Sequence, residues 1–143
     1  MTKLTLHQAN TIIDTALKHA ASAGLRPLTV AVLDDGGHLV AFQRQDKSPI
    51  MRPQVATGKA WGALAMGRSS RGLSTIAAER PAFVQALVAA SDGRMIPVPG
   101  GVLIKNAAGD TMGAVGISGD TSDKDEEAAV AGIKAAGLVP GLD

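Results

Sequence analysis

Val30-Ala31-Val32-Leu33-Asp34-Asp35-Gly36-Gly37-His38-Leu39-Val40-Ala41-Phe42-Gln43-Arg44 is the stretch on which the fold class turns. Leu28 to Leu33 is short, apolar and rich in β-branched residues, the pattern of a strand buried on both faces. Asp35-Gly36-Gly37 supplies residues that accept positive φ in a tight turn, and polar and apolar side chains alternate from His38 to Arg44. A β-hairpin from Val30 to Arg44 is expected.

Upstream, Thr5-Leu6-His7-Gln8 has the spacing of a capping box, so a helix starts there. Leu6, Ala9, Ile13, Ala16, Leu17 and Ala20 recur at three- and four-residue intervals and form one apolar stripe that covers a sheet, until Gly24 stops the helix. Downstream, Arg52 to Met66 reads as a second helix. Gly58 and Gly62 within it each cost about 0.8–1 kcal/mol relative to alanine, which points to close packing against another backbone, such as a second subunit. Ser70 to Ala78 predicts a short helix, and Pro81 opens another that runs to Ala90 and ends at Ser91-Asp92-Gly93. Ile96-Pro97-Val98-Pro99-Gly100-Gly101 suits a bend over a ligand or an edge strand, because two prolines precede two permissive glycines. Val102 to Lys105 and Thr111 to Ser118 flank Asn106 to Asp110 as a second hairpin. Thr121 or Ser122 caps a last helix with acidic residues in its first turn, and Gly137 ends it. Helix, hairpin, helices, hairpin, helix predicts an α+β domain, an antiparallel sheet with helices packed on it.

Composition narrows the function. A chain of 143 residues without repeats or low-complexity linkers reads as one domain spanning 1–143. Fourteen basic against thirteen acidic residues leave a net charge of +1, with no basic stripe for nucleic acid. Phe42, Trp61 and Phe83 are the only aromatic residues, too few for a base-stacking platform. The absence of cysteine excludes disulfides, thiolate metal sites and a cysteine nucleophile. Apolar runs break within about ten residues, against the roughly 20 that cross a bilayer, so no membrane span is expected. Met1 to Thr5 run into a polar-faced helix without an apolar leader, and the expected location is the cytoplasm.

No strong catalytic motif is present. Gly100-Gly101 and Gly113 to Gly119 lack the Walker spacing, Gly-x-Ser-x-Gly is missing, and the acidic run from Asp120 to Glu127 has no calcium-loop pattern. His7, His19 and His38 lack metal-ligand spacing, so no dedicated metal site is expected. His38 opens the second strand beside a glycine turn, where a side chain can meet a cleft. Arg44, Arg52 and Lys59 follow one another from the second strand into the second helix, and Arg52 and Lys59 share a helix face. They are candidates for holding a carboxylate, with a solvated charged face as the alternative reading.

The quoted hairpin, then Lys59-Ala60, Pro99-Gly100-Gly101-Val102 and Gly113-Ala114-Val115-Gly116-Ile117-Ser118-Gly119, resemble the GlcG/HbpS family of heme-binding-like domains, also found at the C-terminus of PduO-type proteins. The resemblance covers nearly the whole chain. It implies a profilin-like or PAS-like central antiparallel sheet, assembly from dimer to octamer, and heme binding in some members. Two positions depart from the family pattern: Leu103 stands where proline often follows Gly-Gly-Val, and Arg68-Ser69-Ser70 replaces Pro-Thr. Both are expected near the pocket.

Two functions follow as expectations. The first is an oligomeric accessory protein of a catabolic or redox pathway that binds heme or a comparable anionic small molecule. Arg44, Arg52 and Lys59 hold its carboxylates, Gly100 and Gly101 let the backbone approach, and His38 is the candidate heme-iron ligand. The alternative is a cofactor-independent tautomerase, lyase or deaminase acting on an unsaturated or hydroxylated carboxylic acid. There His38 or Asp34 moves the proton while Arg44 or Arg52 holds the substrate.

Overall fold

A computed structural model describes residues 3–143; Met1 and Thr2, where the leader-free start was read, lie outside the described residues. The capping box forms as its spacing predicts: the Gln8 amide donates to Thr5 Oγ1 and the Thr5 amide to Gln8 Oε1, both at 3.0 Å, opening α1 (Leu6–Ala23). Gly24 then takes a left-handed φ of 68° and ends it. Strands β1 (Thr29–Asp34) and β2 (Leu39–Arg44) pair antiparallel as the expected hairpin. Helices α2 (Arg52–Met66), α3 (Ser70–Glu79) and α4 (Pro81–Ala90) follow. The second hairpin, β3 (Gly101–Lys105) and β4 (Thr111–Ser118), leads into α5 (Ser122–Ala135), capped by Thr121, and a short β5 (Val139–Gly141) that the sequence reading did not anticipate.

β1 and β4 pair antiparallel and join the two hairpins into one five-stranded sheet of order β2-β1-β4-β3-β5. Every neighbouring pair in it is antiparallel. Strand alternation gives the two faces different jobs. Val30, Val32, Val102, Ile104, Val115 and Ile117 pack with Ile12, Ile13 and Ile133 of α1 and α5 in the main core. Each fully buried side chain of this size contributes about 1.5–3 kcal/mol. The opposite face carries Ala114, Leu33 and Leu103 against Ala60 and Ala63 of α2.

Small residues let α2 lie almost on the strands. A Cβ on Gly116 would collide with the Ala56 carbonyl and one on Gly101 with the Lys59 carbonyl, so both positions require glycine for the approach of the helix. Gly58 and Gly62 do serve close packing, but within the chain. A Cβ on Gly58 would run into Ile96 and come within 2.7 Å of the Arg94 carbonyl, and one on Gly62 would lie 2.7 Å from Met95 Cγ. Ile96 to Gly100 is accordingly not an edge strand. It is a strap across α2, fixed by the Ile96 amide donating to the Gly58 carbonyl at 3.2 Å.

Candidate functional site

At the start of α2 three of the expected cations converge on one end of the sheet. Thr29 opens β1 opposite both Arg44 and Ser118. Its hydroxyl shares a 2.8 Å hydrogen bond with Ser48 Oγ, and Thr29, Ser48 and Ser118 are all buried. Arg44 Nη1 donates to the Ser48 carbonyl at 3.0 Å, and Arg52 Nη1 donates to Ser118 Oγ at 3.0 Å. Lys59 Nζ reaches the next residue of the same strand, donating to the Ile117 carbonyl at 2.8 Å. Arg44, Arg52 and Lys59 are thus grouped around a buried hydroxyl cluster.

Their charges meet different fates. Lys59 is only 2% exposed and pairs with Asp125 Oδ2 at 3.2 Å, so its ammonium faces the interior rather than a ligand in solvent. Helix arithmetic places Lys59 on the face of Arg52 but does not reveal that this face is covered by β4. Burial pushes the Lys59 amine down, an effect that Arg52 adds to and Asp125 opposes. Burial likewise pushes the Asp125 carboxyl up, against the pull of Lys59 and of the Asp120 and Gly119 amides. Gly100 and Gly101 belong to the same internal contact. A Cβ on Gly100 would lie 2.8 Å from Lys59 Nζ, so the backbone these glycines admit is that of α2 and its lysine. Arg44 and Arg52, by contrast, make no ion pair among the described residues. Beside them Ile50 and Met51 are 85% and 63% exposed. The first turn of α2 has no side-chain cap.

Asp34 and His38 sit at the other end of the hairpin. Five residues along β1 separate Thr29 from Asp34, about 16 Å at the usual strand rise. Asp34 Oδ1 accepts the Gly36 amide at 3.0 Å and the His38 amide at 2.9 Å, and lies 3.3 Å from His38 Nδ1. Partial burial works to raise its pKa, yet those amides and His38 hold the carboxyl below its ordinary value. Asp34 therefore organises the turn and is a poor base. A proton-moving His38 or Asp34 next to a substrate held on Arg44 or Arg52 is not assembled within one chain.

The two departures from the family pattern serve internal packing around Gly101. Leu103 is buried against α2, Ser69 caps α3 through the Gly72 amide, and Ser70 Oγ accepts from the Gly101 amide at 2.7 Å. Sequence reading missed a cleft of about 380 Å³ along α2, lined by Pro53, Gln54, Thr57, Gly58, Trp61 and the Asp92–Arg94 turn. No local signal links Trp61 to Arg94, which meet only through the strap. Among the described residues no group of three or more His, Asp or Glu side chains is gathered to hold a metal ion. No helix there is long and apolar enough to cross a membrane.

The family model described as haem degrading protein HbpS-like matches residues 4–134. The chain belongs to the HbpS-like family. Solved structures similar to this HbpS-like chain include a complex of PduOC with heme, at 23% identity and TM-score 0.88, covering 99% of this chain and 100% of that one. Protein ORFY of Klebsiella pneumoniae is 22% identical with TM-score 0.86, over 96% of this chain and 93% of that one. A doubly substituted HbpS of Streptomyces reticuli is 25% identical with TM-score 0.78, over 94% and 87% respectively. A comparison with curated proteins gives no match. The α+β sheet-and-helix architecture expected from the hairpin is the fold these structures share.

Proposed function

We propose that this HbpS-like chain is a ligand-binding accessory protein of a catabolic or redox pathway in the cytoplasm, and that its ligand is heme or a comparable amphipathic anion. One observation carries the reading: Arg44 and Arg52, without acidic partners, flank a buried hydroxyl cluster beside the exposed apolar pair Ile50 and Met51. Heme has the same two-sided chemistry, an apolar macrocycle with two carboxylates, and arginine forks suit carboxylates. The PduOC neighbour, which was solved with heme, adds support.

The arginines fit the carboxylate side of heme, whereas His38, the expected iron ligand, is not at their end of the hairpin. His38 stands at the far end of the hairpin, so as an iron ligand it acts from a neighbouring copy. A homo-oligomer is part of the proposal for that reason, and because Leu39 and Phe42 of the edge strand β2 and Phe83 of α4 are left exposed. When bound, heme supplies an iron centre for redox sensing or electron exchange.

Addition of hemin to the purified protein tests this. The expected result is a saturable Soret shift near one heme per chain or per pair of chains. A spectrum that stays that of free hemin contradicts the proposal.

A further inference from the structure

Trp61 is the one tryptophan of the protein, and its indole is held from two sides. The turn of the first hairpin approaches so closely that a Cβ on Gly37 would lie 3.3 Å from indole Cδ1 and Nε1. From the other side the Arg94 guanidinium stacks 4.1 Å from the ring centroid. Arg94 Nε donates to the Ser91 carbonyl at 3.1 Å, which fixes the guanidinium in place. Its remaining N–H groups have no acidic partner among the described residues.

The cleft between Trp61 and this turn is built rather than incidental. Gly58 lets residues 94–96, which lead into the strap, close over α2, and no other residue type fits there without displacing Ile96. At about 380 Å³ the cleft is at the small end of ligand pockets, which span roughly 300–1,000 Å³. Its walls are predominantly apolar, with Gln54, Thr57, Asp92 and Arg94 as the polar groups. Arg52, which opens the same helix, turns instead to Ser118 and does not line the cleft.

We propose that this cleft is a second binding site, for a compact planar monocarboxylate of one or two unsaturated or aromatic rings. Its ring lies against Pro53 and the part of the indole that Arg94 leaves uncovered, and its carboxylate takes the free edge of Arg94. A flat indole and a proline select a flat apolar body. A guanidinium fixed by stacking presents its fork without further loss of rotamer freedom, and that fork matches a carboxylate. Asp92 also lines the cleft, so a second negative charge on the ligand, beyond the one that Arg94 pairs, meets repulsion, which disfavours a phosphate or dicarboxylate. The size of the cleft excludes burial of a four-pyrrole macrocycle. The site stands independently of the heme proposal.

The single indole N–H resonance of ¹⁵N-labelled protein provides the test, with benzoate and 2-naphthoate as probes and cyclohexanecarboxylate and inorganic phosphate as controls. Both aromatic acids are expected to move the Trp61 resonance saturably, with the controls clearly weaker. Arg94→Gln weakens the response by about tenfold or more. Arg94→Lys, which keeps the charge without the fork, falls between the two. Arg44→Gln/Arg52→Gln leaves the response intact, and Arg94→Gln leaves hemin uptake intact, so failure of one site is distinguishable from failure of the other. An indole resonance unmoved by both acids overturns the proposal. So does a shift indifferent to Arg94→Gln, or one matched by phosphate.

Discussion

The two ends of the first hairpin carry opposite charge and use it differently. At the turn, Asp34 Oδ1 takes the amides of its own loop and faces His38, whose side chain is 82% exposed. At the open end, Arg44 and Arg52 spend one N–H each on a serine and keep the rest of their forks free of acidic partners. The turn uses its charge to build backbone, whereas the open end retains charge that folding does not consume. Surplus charge held on a buried framework is what a binding site requires, and the proposed heme or anion site is placed at the open end for that reason.

The largest test of this contrast concerns Lys59, the cation at the open end that folding does consume. Lys59→Met strands Asp125 in the interior and should cost about 3–5 kcal/mol in urea unfolding, while Lys59→Met with Asp125→Leu recovers most of the loss. A loss near that of an ordinary surface change, about 0.5 kcal/mol, would show the lysine to be free and available to ligand. Next comes Gly116→Ala, which drives a methyl group into the Ala56 carbonyl and lifts α2 off β4. About 1–3 kcal/mol of stability should disappear, with the seat of Arg52 on Ser118 loosened and hemin affinity reduced in parallel.

A smaller effect sharpens the turn end. Because the turn amides and His38 hold the folded Asp34 carboxyl below its ordinary value of 3.8, its contribution is fully present above that pH and is lost as pH falls through the lower folded value. Carboxyl carbon NMR should give an Asp34 midpoint under 3.8, and a midpoint at or above it would detach the carboxylate from the turn amides. His38→Ala should change stability by less than about 0.5 kcal/mol, since the ring is mostly in solvent.

How much of this was legible in the sequence depended on the range of the signal. The Thr5 to Gln8 capping box, the Asp35-Gly36-Gly37 turn and the bounds of α2 rest on neighbouring residues and could be read directly. β5 could not, because Val139-Pro140-Gly141 has neither the length nor the alternation of a strand and exists only by pairing with β3. For the candidate site, the order Arg44, Arg52, Lys59 pointed to three cations that do gather at one end of the sheet. What it could not tell is which cation is covered: that depends on Gly101 and Gly116 bringing α2 onto the strands, a fact of packing between distant segments. The Trp61–Arg94 stack was invisible for the same reason.

The central claim, that unpaired arginines at the open end of the hairpin hold the carboxylates of the ligand, is tested most directly by hemin titration of the native protein beside Arg44→Gln/Arg52→Gln and His38→Ala. Each arginine–carboxylate contact is worth about 1.5–3 kcal/mol, so the double variant should bind at least about tenfold more weakly, with its folded baseline unchanged. His38→Ala should keep the affinity within about tenfold and alter chiefly the position of the Soret band. Equal affinity of the native protein and the double arginine variant would contradict the account.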